Sequence, residues 1–243
     1  MTTPYAAQTR IELALTVRRG ESVLLTLGIP VLLLVFFSVV DVLPTDTEDP
    51  VDFLAPGVLA LAVMSTGMVG LGIATGFERS YGVLKRLGAT PLGRPALLAA
   101  KTTAVVAIEA VQFAVLVPVA YALGWRPAAG FTLLGALVAV VLGTIAFSGI
   151  GLALAGRLRG EVNLAAANGL YVVLLLLGGM VIPLDELPGP LRWLARILPA
   201  GALSDALHGA LSAAEGVPAR AWIVLVAWAI GAPLLAARTF RWE

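Results

Sequence analysis

The chain contains no cysteine. A disulfide, a thiolate metal site and a cysteine nucleophile are thereby excluded. It has a single histidine, His208, so a histidine-rich metal centre is excluded as well. Charge is scarce: Asp, Glu, Lys and Arg make up 13% of the residues, against roughly 25% in soluble domains. The net charge of +1 provides no field to recruit nucleic acid. A phosphate-binding loop needs G-x-x-x-x-G-K-[ST] after a strand. The interval Gly82–Gly88 holds a lysine, but no Gly-Lys-Ser/Thr string occurs anywhere.

What is present is hydrocarbon: 59% of the residues are hydrophobic, which places the chain in the membrane class. About 20 apolar residues cross about 30 Å of bilayer. Six runs qualify: Ser22–Val40, Ala55–Gly76, Leu97–Leu123, Phe131–Gly156, Leu164–Pro183 and Ala221–Ala237. Arg18 and Arg19 precede the first, but no small-x-small cleavage site follows it, so it reads as a retained anchor. Basic residues alternate along the connections. Arg10, Arg18, Arg19, Arg79, Lys85, Arg86, Arg94, Lys101, Arg157, Arg159, Arg238 and Arg241 fall on one side. Only Arg126, Arg192, Arg196 and Arg220 fall on the other. The positive-inside rule then puts both termini in the cytoplasm of a multi-pass protein of the cell membrane. The first external loop is acidic (Asp41, Asp46, Glu48, Asp49, Asp52) and reads as a solvated connection.

The expected fold is all-α, a single six-span domain over residues 1–243. Residues 1–21 are expected to be cytoplasmic or interfacial. Within them Ile11, Leu13, Leu15 and Val17 lie among Arg10, Glu12, Arg18 and Arg19, an amphipathic helix for the membrane surface. Residues 184–220 form an external segment in which Leu187, Leu191, Leu194, Ile197 and Leu198 recur at helical spacing. Pro183, Pro188, Pro190 and Pro199 divide that segment into short helices between spans five and six.

The basic island at 77–96 lies between spans two and three. Val83, Leu84 and Leu87 fall on one face of one or two helical turns, with Lys85 and Arg86 elsewhere; Gly88 and Pro91 end them. Charge alone would suit a loop satisfied by lipid phosphates. The order of residues is more specific. Glu78-Arg79, Gly82, then Leu84-x-x-Leu87-x-x-Thr90-Pro91-Leu92 resembles the cytoplasmic signature of ABC exporter permeases of the second export class. Gly178–His208, with Pro183, Leu187-Pro188, Leu198-Pro199 and Asp205, resembles the same family's end of span five. Leu54-Ala55-Pro56-Gly57 is a third, shorter match. Where the family usually has an aromatic near position 199 and an arginine near 208, this chain has Ala200-Gly201 and His208.

That resemblance implies a permease subunit that exports a drug-like amphiphile, a lipid or a lipid-linked polymer. It implies cytoplasmic ATP-binding-cassette ATPase subunits as partners, with ATP and Mg on them and no cofactor or metal on this chain. A second permease copy, identical or not, would complete the pathway within the bilayer. Glu78, Arg79, Tyr81, Leu84, Lys85, Arg86 and Leu87 would then carry the coupling contact, and the chain would not itself be an enzyme.

Glu109, Gln112 and Asn168 form a candidate polar site within the spans. Glu109 sits about 18 Å past Leu97 along the helix, near mid-membrane, where a charge costs about 2.5–3.5 kcal/mol. It suits either a polar contact with substrate or a proton-linked switch, or else an interhelical bond to Asn163, Asn168 or Tyr171. Gly67, Gly70, Gly72 and Gly76 on span two, and Gly143, Ser148, Gly149 and Gly151 on span four, suit close helix packing. Two rival functions remain. Ala146-Phe147-Ser148-Gly149 superficially resembles an intramembrane serine hydrolase, with His208 as its base. A non-catalytic membrane scaffold is the other.

Overall fold

The computed structural model describes residues 3–18, 20–40, 50–212 and 216–240, and among them it is helical with no strand. The acids Asp41, Asp46, Glu48 and Asp49, like Arg19 and Arg241, lie outside the described residues. Five helical stretches are long and apolar enough to cross a membrane: Pro50–Ser80, Arg94–Ala122, Leu133–Ala155, Gly160–Leu177 and Ala219–Thr239. The first expected span corresponds to helix α2 (Gly20–Val39), whose Thr26–Val39 portion is a shorter apolar helix.

α1 (Pro4–Arg18) lies along the start of α6 (Arg94–Ala122), and Tyr5 Oη meets Thr103 Oγ1 at 2.6 Å. α2 packs on α3 (Pro50–Met64). The stretch from α3 into α4 (Leu71–Ser80) is continuous, but its middle, Ser65–Gly70, is π-helical. A π turn inserts a residue and rotates the face that follows. Gly82, at φ +70°, ends this stretch, and α5 (Val83–Gly88) follows. A left-handed residue is the usual stop for a helix, and glycine takes it without steric cost.

α7 (Leu133–Ala155) is the centre of the bundle and pairs most extensively with α11 (Ala219–Thr239). At Gly149 a Cβ would lie 2.6 Å from the Pro233 nitrogen, so only glycine permits this crossing. α8 (Gly160–Leu177) stops earlier than the apolar run suggests. Gly178 follows it and Gly179 takes φ +66°, turning the apolar Met180-Val181-Ile182 back against the bundle.

The proline-rich segment forms a 3-10 turn (Leu184–Glu186), then α9 (Gly189–Ile197) and α10 (Pro199–Leu211). Its short helices match expectation, but their depth does not. α9 keeps Trp193 and Ile197 exposed, whereas α10 is almost wholly buried against α3, α7 and α11. Its Ala-Gly-Ala-Leu-Ser composition presents little bulk, so neighbouring helices close around it.

Two apolar clusters result. The larger runs through α2, α3, α6, α7, α10 and α11. The smaller lies at the end of the bundle that carries α5, and gathers Leu71, Leu84, Leu92, Leu97, Val105, Leu152 and Phe240.

Candidate functional site

The α5 end of the bundle is assembled from charged groups that the apolar surroundings force into pairs. Lys101 lies in the second turn of α6, four residues past buried Leu97 and four before buried Val105, so it shares their inward stripe. Its residue is 1% exposed. Nζ reaches Glu78 Oε2 on α4 at 2.7 Å and Glu12 Oε1 on α1 at 2.8 Å. Gln8 Nε2 donates to the same Glu12 oxygen at 2.7 Å. Three helices thus converge on one ammonium.

The next residue, Arg79, points the other way. Its Nη2 donates to the Leu158 carbonyl in the α7–α8 connection at 2.9 Å. The Gly160 N–H donates to Ser80 Oγ at 3.2 Å, and Asn163 Nδ2 on α8 donates to the Gly72 carbonyl at 2.8 Å. A Cβ on Gly76 would lie 2.5 Å from Asn163 Nδ2. The last turns of α4 are therefore tied to α1 and α6 on one side and to α8 on the other.

α5 projects from this anchored end. Leu84 is fully buried in the smaller apolar cluster and Leu87 packs against it, while Tyr81, Lys85 and Arg86 face outward. Tyr81 is 72% exposed and its ring stacks on Phe77, with centroids 6.1 Å apart. The arrangement is a short lever, apolar on its inner side, polar and aromatic on its outer side.

Of the sequence-selected residues, Glu78 faces inward to Lys101, Arg79 is bound to a carbonyl, and Tyr81, Lys85 and Arg86 form the exposed face. Glu12 and Lys101 were not selected. Lys101 counts among the basic residues of the cytoplasmic side in the sequence, although the stripe Leu97, Lys101, Val105 signals its burial.

The intramembrane residues divide. Glu109 Oε2 accepts from Thr144 Oγ1 on α7 at 2.5 Å, a partner that sequence reading did not name. Gln112 accepts from Thr66 Oγ1 in the π turn at 3.0 Å and donates to the Thr26 carbonyl on α2 at 2.9 Å. Gln112 therefore joins three elements. Asn168 does not join them: it is exposed and donates to the Leu164 carbonyl one turn back on its own helix.

Ser148 and His208 are not brought together. Ser148 is buried within α7 and its hydroxyl has no hydrogen-bond partner among the described residues. His208, on α10 at the opposite end of the bundle from α5, has Nδ1 2.8 Å from the Ser204 carbonyl and Nε2 2.8 Å from the Phe53 carbonyl. Nδ1 also lies 3.3 Å from Ser204 Oγ. The ring thus staples α10 to the start of α3.

Burial lowers the pKa of this imidazole below its ordinary 6.5, and it outweighs the two carbonyls and nearby Asp205, which favour the charged form. The sign for stability follows. The unfolded chain takes up a proton first as pH falls through about 6.5, so stability declines from there until the folded ring also protonates. Burial raises the Asp205 pKa above 3.8 despite its ion pair with Arg220, which acts in the opposite sense. The melting temperature is expected to drop between pH 7 and the folded pKa of His208. His208→Gln is expected to flatten that limb. An unchanged pH profile in the variant would refute the assignment.

The family model described as ABC-2 type transporter matches residues 5–211. That span includes the basic island, the proline-rich block and the Leu54–Gly57 string. No curated protein matches the chain.

Proposed function

Since the chain belongs to the ABC-2 type transporter family and is a permease subunit of that class, we propose that it exports its substrate using ATP hydrolysed by a separate cytoplasmic cassette ATPase. α2 is the sixth span, and its 20 residues give about 30 Å of helix, enough for the hydrocarbon. The α5 end is cytoplasmic, as the positive-inside rule requires, and α1 lies along the cytoplasmic surface. Two permease copies, identical or not, form the pathway.

The observation that carries this reading is the anchoring of α5. Leu84 roots the lever in an apolar cluster, Glu78 ties its base to α1 and α6 through Lys101, and Arg79 ties it to the α7–α8 connection. A push on Tyr81, Lys85 and Arg86 cannot be absorbed by a loose loop. It passes into α1, α4, α6 and α8 together. ATP-driven closure of the ATPase dimer would supply that push, and the substrate moves because its affinity differs between the two states. Resemblance favours export and a drug-like amphiphile, lipid or lipid-linked polymer as cargo. The hydrolase reading receives no support: the Ser148 hydroxyl has no hydrogen-bond partner among the described residues, and His208 is held by the Ser204 and Phe53 carbonyls.

Charge reversal on the exposed face tests the lever. Lys85→Glu with Arg86→Glu is expected to reduce co-purification of the ATPase by at least tenfold, which is about 1.4 kcal/mol. The melting temperature is expected to hold, because neither residue is buried. Arg126→Glu, at the opposite end of α6, is the control. Equal ATPase recovery from both variants would defeat the proposal.

A further inference from the structure

A second site lies on the flank formed by α7, α8 and α11. A cavity of about 260 Å³ runs between these helices. Its walls are Ile150 and Leu154 on α7, Leu170 and Leu174 on α8, and Ala232 and Leu235 on α11. Leu198, Pro199 and Trp228 close its inner end, and the Trp228 Nε1–H is already committed to the Ile197 carbonyl at 3.0 Å. Thr239 stands at the other end, but its hydroxyl donates to the Leu235 carbonyl at 2.7 Å. The one charged group in the lining is Arg157.

The shape selects the occupant. Trp228 to Thr239 spans about 16 Å along α11. Pockets for drug-sized ligands measure about 300–1,000 Å³, so this cavity is small for its length and suits something thin. Apolar walls with no hydrogen bonds to offer suit a hydrocarbon chain. Arg157 lies just past the end of α7 and is exposed; its backbone N–H donates to the Leu154 carbonyl, while its guanidinium has no hydrogen-bond or ion-pair partner among the described residues. Arg159 and Arg238 adjoin the same end in sequence, against the single acid Glu161. This is where a headgroup phosphate would sit if a chain entered from the leaflet at that end.

We propose that this groove holds one acyl chain of an anionic phospholipid, with Arg157 engaging the headgroup. None of the lining residues belongs to the coupling lever, and the proposal does not depend on the direction of transport. A basic residue at an anionic headgroup contributes roughly fivefold in binding.

The test adds phosphatidylglycerol or phosphatidylcholine to delipidated protein and counts retained lipids by native mass spectrometry. The full chain is expected to keep one phosphatidylglycerol in preference to phosphatidylcholine. Arg157→Ala is expected to reduce that preference about fivefold. Ala153→Phe, on the α7 wall of the groove between Ile150 and Leu154, fills it and is expected to abolish retention of either lipid. Leu235→Trp fills it from an exposed position, so it separates occupancy from folding. Equal retention of the two lipids by the unmodified chain would overturn the proposal. So would undiminished phosphatidylglycerol in the filled variants. Efficient disulfide formation between two Leu235→Cys chains in the membrane would assign the groove to a second copy instead, and would overturn it too.

Discussion

Replacing Lys101 with methionine is expected to destabilise the chain by about 3–5 kcal/mol, the cost of leaving buried charges without their partner. The loss has two parts. Glu78 and Glu12 both depend on the one ammonium, at 2.7 and 2.8 Å, and their side chains are only 11% and 12% exposed. With methionine in the middle, two carboxylates face each other with little water between them. The gross attraction is a poor guide to the size of the effect, because burial of the lysine was itself costly. What counts is the imbalance left behind. The variant Glu12→Gln, Glu78→Gln, Lys101→Met removes all three charges at similar volume, and it is expected to recover most of the lost stability. Thermal unfolding in detergent reads the first effect. ATPase recovery reads whether α1 and α6 still brace α5. If Lys101→Met melts within a degree of the parent, the ammonium is not the keystone that its geometry makes it.

Gly57→Val is the second large effect expected, about 3 kcal/mol or more. A Cβ at Gly57 would lie 2.0 Å from the Met180 carbonyl oxygen and 2.9 Å from its carbon. Both are backbone atoms, so no side chain can swing aside. Either α3 or the turn after α8 must move, and that turn is already fixed by Ser204 Oγ donating to the Gly179 carbonyl at 2.7 Å. Gly28→Ala is the control: nothing lies within 4 Å of a Cβ there, and it is expected to be neutral or slightly stabilising. Similar melting temperatures for the two variants would show that the α3 crossing is loose.

That crossing also explains what was legible in the sequence. Leu54–Gly57 and Gly178–His208 were separate strings, read for their order of residues. In space they are one joint: Gly57 admits Met180, and the Phe53 carbonyl receives His208. The apolar runs locate the five long membrane-length helices closely, because length and oiliness are local properties. α8 was the exception, since an apolar stretch continues past Gly178 and only backbone conformation ends the helix. α5 was legible for a similar reason, its limits being Gly82 and Gly88. Burial of α10 was not legible. Its small residues are equally at home on a surface, and their depth comes from α3, α7 and α11 closing around them. Nor was the direction of Glu78. A carboxylate beside an arginine reads as a surface pair until the helix twist turns it inward to Lys101.

The Glu12–Lys101–Glu78 junction also sets a schedule. Its members leave the ribosome in the order Glu12, Glu78, Lys101. At 5–20 residues per second, Glu12 waits roughly 5–20 s for its counter-ion. During that interval α1 lacks α6, the helix it packs on most extensively. α1 is therefore made well before α6, and the junction closes only once the start of α6 has emerged.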